Sequence, residues 1–257
     1  IQPTDEFPVK VVVEDPKRAP RYCGIVIKGV KIAPSPAWLA NRLKAVGVNS
    51  INNVVDITNY VLQSLGQPLH AFDLRQVGGE IHVKTCPEGT PFVTLDGEQR
   101  NLSQEDLMTC SATAPMCIAG VYGGLESGIK DDTTDVFIES AYFDPVTIRR
   151  TAKRHGLQTD ASFRYERGID PNITLNALCL AARLMCTLAG GHIASGITDI
   201  CSAPAVQAPF PVTFRSDHAA KPLGNDSPHH DLRKLLEALQ LTPLEPTPDA
   251  PPPKLPA

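Results

Sequence analysis

Hydrophobic and polar positions change their rhythm three times along the chain. Val9 to Val13 and Tyr22 to Val30 are rich in β-branched residues and predict strands. Ser35-Pro36 offers an N-cap and a first-turn proline, and Gly47 a stop, with Trp38, Leu39 and Leu43 at helical spacing between them. Val54, Thr58, Val61, Leu62 and Leu65 then share one face of a second helix that Gly66 ends. From Glu80 to Ala141 short apolar runs such as Phe92-Val93-Thr94-Leu95 and Val136-Phe137-Ile138 alternate with turns such as Asp96-Gly97. That texture predicts a sheet-rich segment. Helices return afterwards. Asp144-Pro145 opens one that Gly156 stops, and Asp170-Pro171 opens another that runs to Gly190-Gly191. Strands, helices, many strands and then helices predict an α+β fold with a mixed or antiparallel sheet-rich core and packed helices, unlike a doubly wound α/β sheet.

Composition shifts near residue 203. Half of the 24 prolines fall after it. The expected division is therefore a domain over 1–203, then a Pro-rich linker and the truncated start of a second small domain over 204–257. Leu232 to Leu239 predicts one short amphipathic helix there, and the tail after Pro243 reads as disordered. The chain does not begin with Met, and the expectation is a piece excised from a longer protein.

The 257 residues carry a net charge of −4 and 5% aromatics, so a dedicated, stacking-dominated nucleic-acid binder is disfavoured and any RNA contact must be local. No apolar run approaches a membrane span of roughly 18–20 residues, and no signal peptide opens the chain. Seven cysteines without a Cys-x-x-Cys pair read as reduced thiols of a cytoplasmic protein, with no metal site.

Several residues are candidates for chemistry. Thr58, Asn59 and His70 form a polar cluster near the end of the second helix. His70, expected in the loop after Pro68, either orients a water or ribose hydroxyl or closes the loop by bonding backbone. Glu139 ends an apolar run. Buried, it needs a fixed partner or a ligand hydroxyl; exposed, it is an edge residue or an ion-pair member. Gly120, Gly123, Gly124 and Gly128 either let backbone amides approach a small ligand or make a hairpin turn. The segment is neither a P-loop nor a dinucleotide fingerprint. Arg149, Arg150, Lys153, Arg154, Arg164 and Arg167 face only Asp160 and Glu166 within 149–167, which suits a phosphate backbone or a solvated helix face. Gly156 to Ser162 either lines a pocket or caps the next helix. His229-His230-Asp231 is a weak metal motif.

In this order the segments resemble one family. Asn52-Asn53-Val54-Val55-Asp56-Ile57-Thr58-Asn59-Tyr60, Gln67 to Asp73, Leu95-Asp96-Gly97, Gly120 to Gly128, Glu139 to Phe143 and Arg154 to Pro171 are similar to the β-subunit of bacterial phenylalanyl-tRNA synthetase over roughly residues 20–200. The resemblance implies an editing region that hydrolyses mischarged tyrosyl-tRNA(Phe). It implies pocket residues Thr58, Asn59, His70, Gly120, Gly123, Glu139, Thr159 and Ala161. Glu139 would hold the tyrosine hydroxyl, Thr159 and Ala161 the ring, and His70, Thr58 and Asn59 the terminal adenosine and the attacking water. From the charge of the basic run, and not from the resemblance, Arg149, Arg150, Lys153 and Arg154 are the expected RNA contacts. The implied partners are tRNA(Phe), tyrosine and a synthetase α-subunit in an α2β2 assembly. ATP and Mg2+ are expected for the whole enzyme and no cofactor for this segment. Asn49 departs from the basic residue that relatives often carry before the Ile51-Asn52-Asn53 segment. A non-catalytic, tRNA-orienting module with decayed editing is the alternative, and a free-standing hydrolase of another aminoacyl ester the third reading.

Overall fold

In a computed structural model of the chain, the described residues are 7–202, 208, 210–214, 229–242 and 244. Two compact units divide the chain, Ile1–Gln207 and Ala208–Ala257.

The first unit is α+β. One five-stranded sheet runs β1 (Lys10–Val13), β4 (Glu80–Thr85), β7 (Leu107–Ser111), β8 (Pro115–Ile118) and β9 (Tyr122–Gly123). Only its β1–β4 pair is parallel. A second, antiparallel sheet runs β11 (His192–Ile193), β2 (Arg21–Lys28), β10 (Asp135–Tyr142) and β3 (Leu69–Asp73), and β12 (Thr198–Cys201) also pairs with β2. A small ribbon joins β5 (Pro91–Val93) to β6 (Gln99–Asn101).

The second sheet is buried on both faces, which explains why β2 and β10 lack a simple apolar–polar alternation. Tyr22, Val26, Phe137 and Ala141 face a core shared with the first sheet. Ile25, Ile27, Val136 and Ile138 face the helices α1 (Ala37–Ala45), α2 (Asn53–Leu65) and α6 (Ile173–Leu188). Glu139 lies between Ile138 and Ser140 in β10, with its side chain turned to the Phe137 and Ala141 face. It is thus not at the end of a strand but in mid-strand, between β2 and β3.

Local sequence explains most helix ends. Asn52 caps α2 by accepting from Val55 N at 2.9 Å, and Gly66 closes it in a left-handed conformation at φ 74°. Asp144 caps α4 (Pro145–His155), with Pro145 at its start. Three expectations need correcting. Ser35 does not cap α1; its hydroxyl donates to Asp56 at 2.6 Å, and Pro36 stands at the cap. Leu65, placed on the buried face of α2, is exposed. His70 sits in β3, not in a loop, because pairing with β10 extends the chain straight after Pro68. The segment Gly156 to Ser162 leads into a short helix, α5 (Asp160–Tyr165), and α3 (Leu74–Val77) follows β3 directly.

In the second unit, α7 spans His229–Ala238, with an Arg233–Glu237 ion pair one turn apart. It covers most of the expected Leu232–Leu239 helix. The side chains of His229, His230 and Asp231 lie outside the described residues, as does the tail after Pro243 apart from Leu244. No described helix is long and apolar enough to cross a membrane.

Candidate functional site

A pocket of about 60 Å³ opens where the two sheets and α5 meet. β3 contributes His70, β10 Glu139, β8 Cys117, the β8–β9 turn Gly120 and Val121, and α5 Ala161 and Tyr165. His70 and Glu139 are direct cross-strand partners, which puts their Cβ atoms about 5 Å apart.

Glu139 is 4% exposed and has one hydrogen bond, accepted from Thr109 Oγ1 at 2.9 Å. Burial pushes its pKa up to about 7, and the Tyr22 and Thr109 hydroxyls only partly offset that. The Tyr22 hydroxyl lies beside Glu139 yet forms no hydrogen bond of proper length and angle, and it is buried without a partner. Burial, and then the charge of Glu139, raise the Cys117 thiol and the Tyr22 and Tyr165 phenols. The pocket floor therefore sets Glu139 among neutral phenol and thiol groups, with one hydrogen bond made, from Thr109.

His70 is half-buried as a residue, but its Nε2 is sealed from solvent and unpartnered. Burial lowers its pKa to about 4, so the ring is neutral at ordinary pH. Phe72 holds it edge-on, with centroids 4.4 Å apart.

The glycines shape the space. A Cβ at Gly123 would meet His70 Cε1 at 2.9 Å and Leu95 Cδ1 at 2.8 Å. Gly120 has φ +68°, and a Cβ there would press on Phe143, Ile148 and Tyr165 at 2.9–3.0 Å.

The sequence profile of the B3/4 domain matches residues 18–190. The chain belongs to the B3/4 domain family. Among curated proteins, the phenylalanine–tRNA ligase β-subunit of Bacteroides fragilis is 52% identical over 237 residues, covering 92% of this chain and 29% of that protein. The corresponding Salinibacter ruber protein is 45% identical over 232 residues, covering 90% and 28%. The chain thus spans less than a third of the length of these relatives. A solved N-terminal fragment of the phenylalanyl-tRNA synthetase β-subunit from Pyrococcus horikoshii covers 93% of this chain and 68% of its own, at 12% identity and a TM-score of 0.44.

The B3/4 domain brings His70, Gly120, Gly123, Glu139 and Ala161 together around one pocket. The other expected pocket residues stand apart from its lining. Thr58 is buried on α2, and its hydroxyl donates to Val55 O at 2.7 Å. Asn59 is half-buried one position on. Thr159 caps α5 in a reciprocal capping box with Ser162 and donates to Val121 O at 3.0 Å, which ties α5 to the glycine turn. Of the basic residues, Arg154 is engaged internally with Asp106 and Glu105, the latter at 2.5 Å, whereas Arg149, Arg150 and Lys153 are exposed. Asn49 is exposed. Sequence reasoning missed Tyr22, Thr109, Cys117 and Tyr165, which come from four separate elements and carry no local signal. It also missed Gly24, opposite Glu139 in the register, where a Cβ would strike the Phe137 ring at 2.1 Å.

Proposed function

We propose that this B3/4 domain is the editing region of a phenylalanine–tRNA ligase β-subunit and hydrolyses mischarged tyrosyl-tRNA(Phe). The observation that carries the reading is Glu139, a buried carboxylate with a single protein donor at the floor of a pocket. A phenol supplies the missing donor. Phenylalanine leaves the carboxylate desolvated with only the Thr109 hydrogen bond, and an unmet hydrogen bond costs about 1–3 kcal/mol or more for a charged group. A synthetic site shaped for phenylalanine discriminates weakly against an isostere that only adds a hydroxyl, so a second site that selects the hydroxyl has a purpose.

The roles follow from position. Thr109 fixes the Glu139 carboxylate. Gly120 and Gly123 leave room for the aminoacyl backbone, and Ala161 borders the ring. Neutral His70 lines the pocket and orients a water or a ribose hydroxyl at the ester once its sealed Nε2 is uncovered. Thr58, its hydroxyl already used by its own helix, supports α2, and Asn59 remains for the terminal adenosine. Thr159 acts by holding α5 against the glycine turn. A cavity that admits benzene is roughly 150 Å³, so a ring enters this pocket of about 60 Å³ only with side-chain displacement. In this reading ATP, Mg2+, the α-subunit of an α2β2 assembly and most of the grip on tRNA(Phe) belong to the rest of a cytoplasmic ligase.

The test is deacylation of tyrosyl-tRNA(Phe) by the intact synthetase. The wild type is expected to hydrolyse it in preference to phenylalanyl-tRNA(Phe), and His70→Ala combined with Glu139→Ala is expected to lose that activity. Equal rates for the two enzymes sink the proposal. The self-satisfied hydroxyl of Thr58 favours the second reading, a tRNA-orienting module without catalysis, which predicts those equal rates together with no tyrosine binding by calorimetry.

A further inference from the structure

A groove of about 400 Å³ lies between α4, the loop that follows it and the C-terminal end of α5, lined by Arg149, Lys153, Leu157, Gln158 and Glu166. We infer that this groove is a track for the single-stranded 3′ end of an RNA, with Arg149 and Lys153 holding phosphates and Phe163 offering a face to a base. The inference rests on the editing function proposed above and names the part of the substrate that the pocket itself does not hold.

Charge comes first. Of the six cations between 149 and 167, three are consumed internally. Arg154 pairs with Asp106 and Glu105, Arg164 with Asp160, and Arg167 with Glu166. Arg149, Arg150 and Lys153 are exposed and have no ion pair among the described residues. Arg149 and Lys153 stand four residues apart on α4, so they share one face with Cβ atoms about 6 Å apart. Glu166, the one acid in the groove, is occupied by Arg167. The groove thus presents two free cations and the Gln158 amide, a donor set for successive phosphates.

Position comes second. α5 separates groove from pocket. Ala161 and Tyr165 face the pocket while Glu166 lines the groove. A helix with its side chains is about 10–12 Å across, so an ester on one side of α5 and a phosphate on the other fit one short strand. Phe163 is 54% exposed, with the Arg167 guanidinium 3.7 Å from its ring centroid. It lies about 60° round the helix from Glu166 on the side away from the pocket. An exposed aromatic beside a cationic groove favours a nucleic acid over an acidic peptide, because every base has a face that stacks.

The experiment uses the intact synthetase and single-turnover deacylation of tyrosyl-tRNA(Phe). Arg149→Ala combined with Lys153→Ala should raise the half-saturating RNA concentration roughly tenfold and flatten its log–log salt dependence by about 1.4, at some 0.7 per phosphate contact. Phe163→Ala should raise half-saturation at unchanged salt slope. The maximal rate and the affinity for free tyrosine should stay as in wild type, as should every readout for Arg183→Ala, an exposed cation on α6. Half-saturation and salt slope equal to wild type in the double variant overturn the inference. If the wild type does not deacylate, the editing reading fails by itself. Titration of the same proteins with uncharged tRNA(Phe) then decides the groove: weaker binding by the double variant supports it, and equal binding overturns it.

Discussion

Two buried carboxylates in the same unit have opposite fates. Asp106 is fully buried and fully supplied: Ser103 N donates at 2.8 Å, Thr151 at 3.0 Å and His155 Nε2 meets it at 2.6 Å, with Arg154 also bonded. Burial alone would raise its pKa, but the donors outweigh burial and hold it below the ordinary range. Glu139 is as deeply placed, has one donor, and is raised to about 7. The two histidines match their partners. His155 is spent on Asp106, whereas His70 keeps a sealed, unpartnered Nε2. A buried charge with its donors in place welds elements together, here α4 to the turn before β7. A buried charge short of donors is unstable until something brings one, and that is the physical basis for reading the Glu139 pocket as a site.

The largest expected effect breaks the supplied side of this contrast. Asp106→Ala strands Arg154 and His155 and should cost about 3–5 kcal/mol in denaturant unfolding; a loss below about 1 kcal/mol would contradict the account of Asp106 as a weld. The depressed pKa also fixes a sign. The stability Asp106 contributes is present above its unfolded pKa near 3.8 and is lost as pH falls through the lower folded value.

Glu139→Gln should do the reverse. The amide still accepts from Thr109 but carries no charge. Between the ordinary 4.5 and about 7 the folded state holds a proton that the unfolded state has lost, so wild-type stability falls as pH rises through this window. At pH 8 the variant should therefore be more stable than wild type by up to about 3 kcal/mol, and the gain should vanish below pH 4.5. His70 works in the opposite direction, since its lowered pKa makes stability rise with pH from about 4 to 6.5. Only the difference between variant and wild type isolates Glu139. A destabilised variant at pH 8 would refute the donor-poor description.

Gly123→Ala places a methyl against His70 and Leu95. Tyrosine affinity, measured by calorimetry, should fall tenfold or more while the melting temperature moves by only a few degrees. The smallest effect is the pH dependence of binding. A phenol donates best to the ionised carboxylate, so tyrosine affinity should rise up to tenfold from pH 6 to 8 in wild type and stay flat in Glu139→Gln.

Much of the frame was legible in the sequence. Asn52 and Gly66 bound α2, and Asp144-Pro145 and Gly156 bound α4, because caps act within four residues. The site was less legible, because pairing is long-range. Nothing near Pro68 says that the next five residues lie against β10, and that pairing is what sets His70 beside Glu139. Arg154 reads as a free cation until Asp106, 48 residues away, is placed against it. The resemblance led to His70 and Glu139, but only the fold shows that Thr58 and Thr159 serve helices while Tyr22, Thr109 and Tyr165 surround the carboxylate.

The most direct test of the central claim, that Glu139 lacks a donor which a phenol supplies, is a crystal structure of the protein with bound tyrosine. The account predicts the tyrosine hydroxyl within hydrogen-bond distance of the Glu139 carboxylate, the ring beside Ala161 and the amino-acid backbone near Gly120 and Gly123. A tyrosine bound with its hydroxyl turned to solvent, or bound away from this pocket, would contradict it.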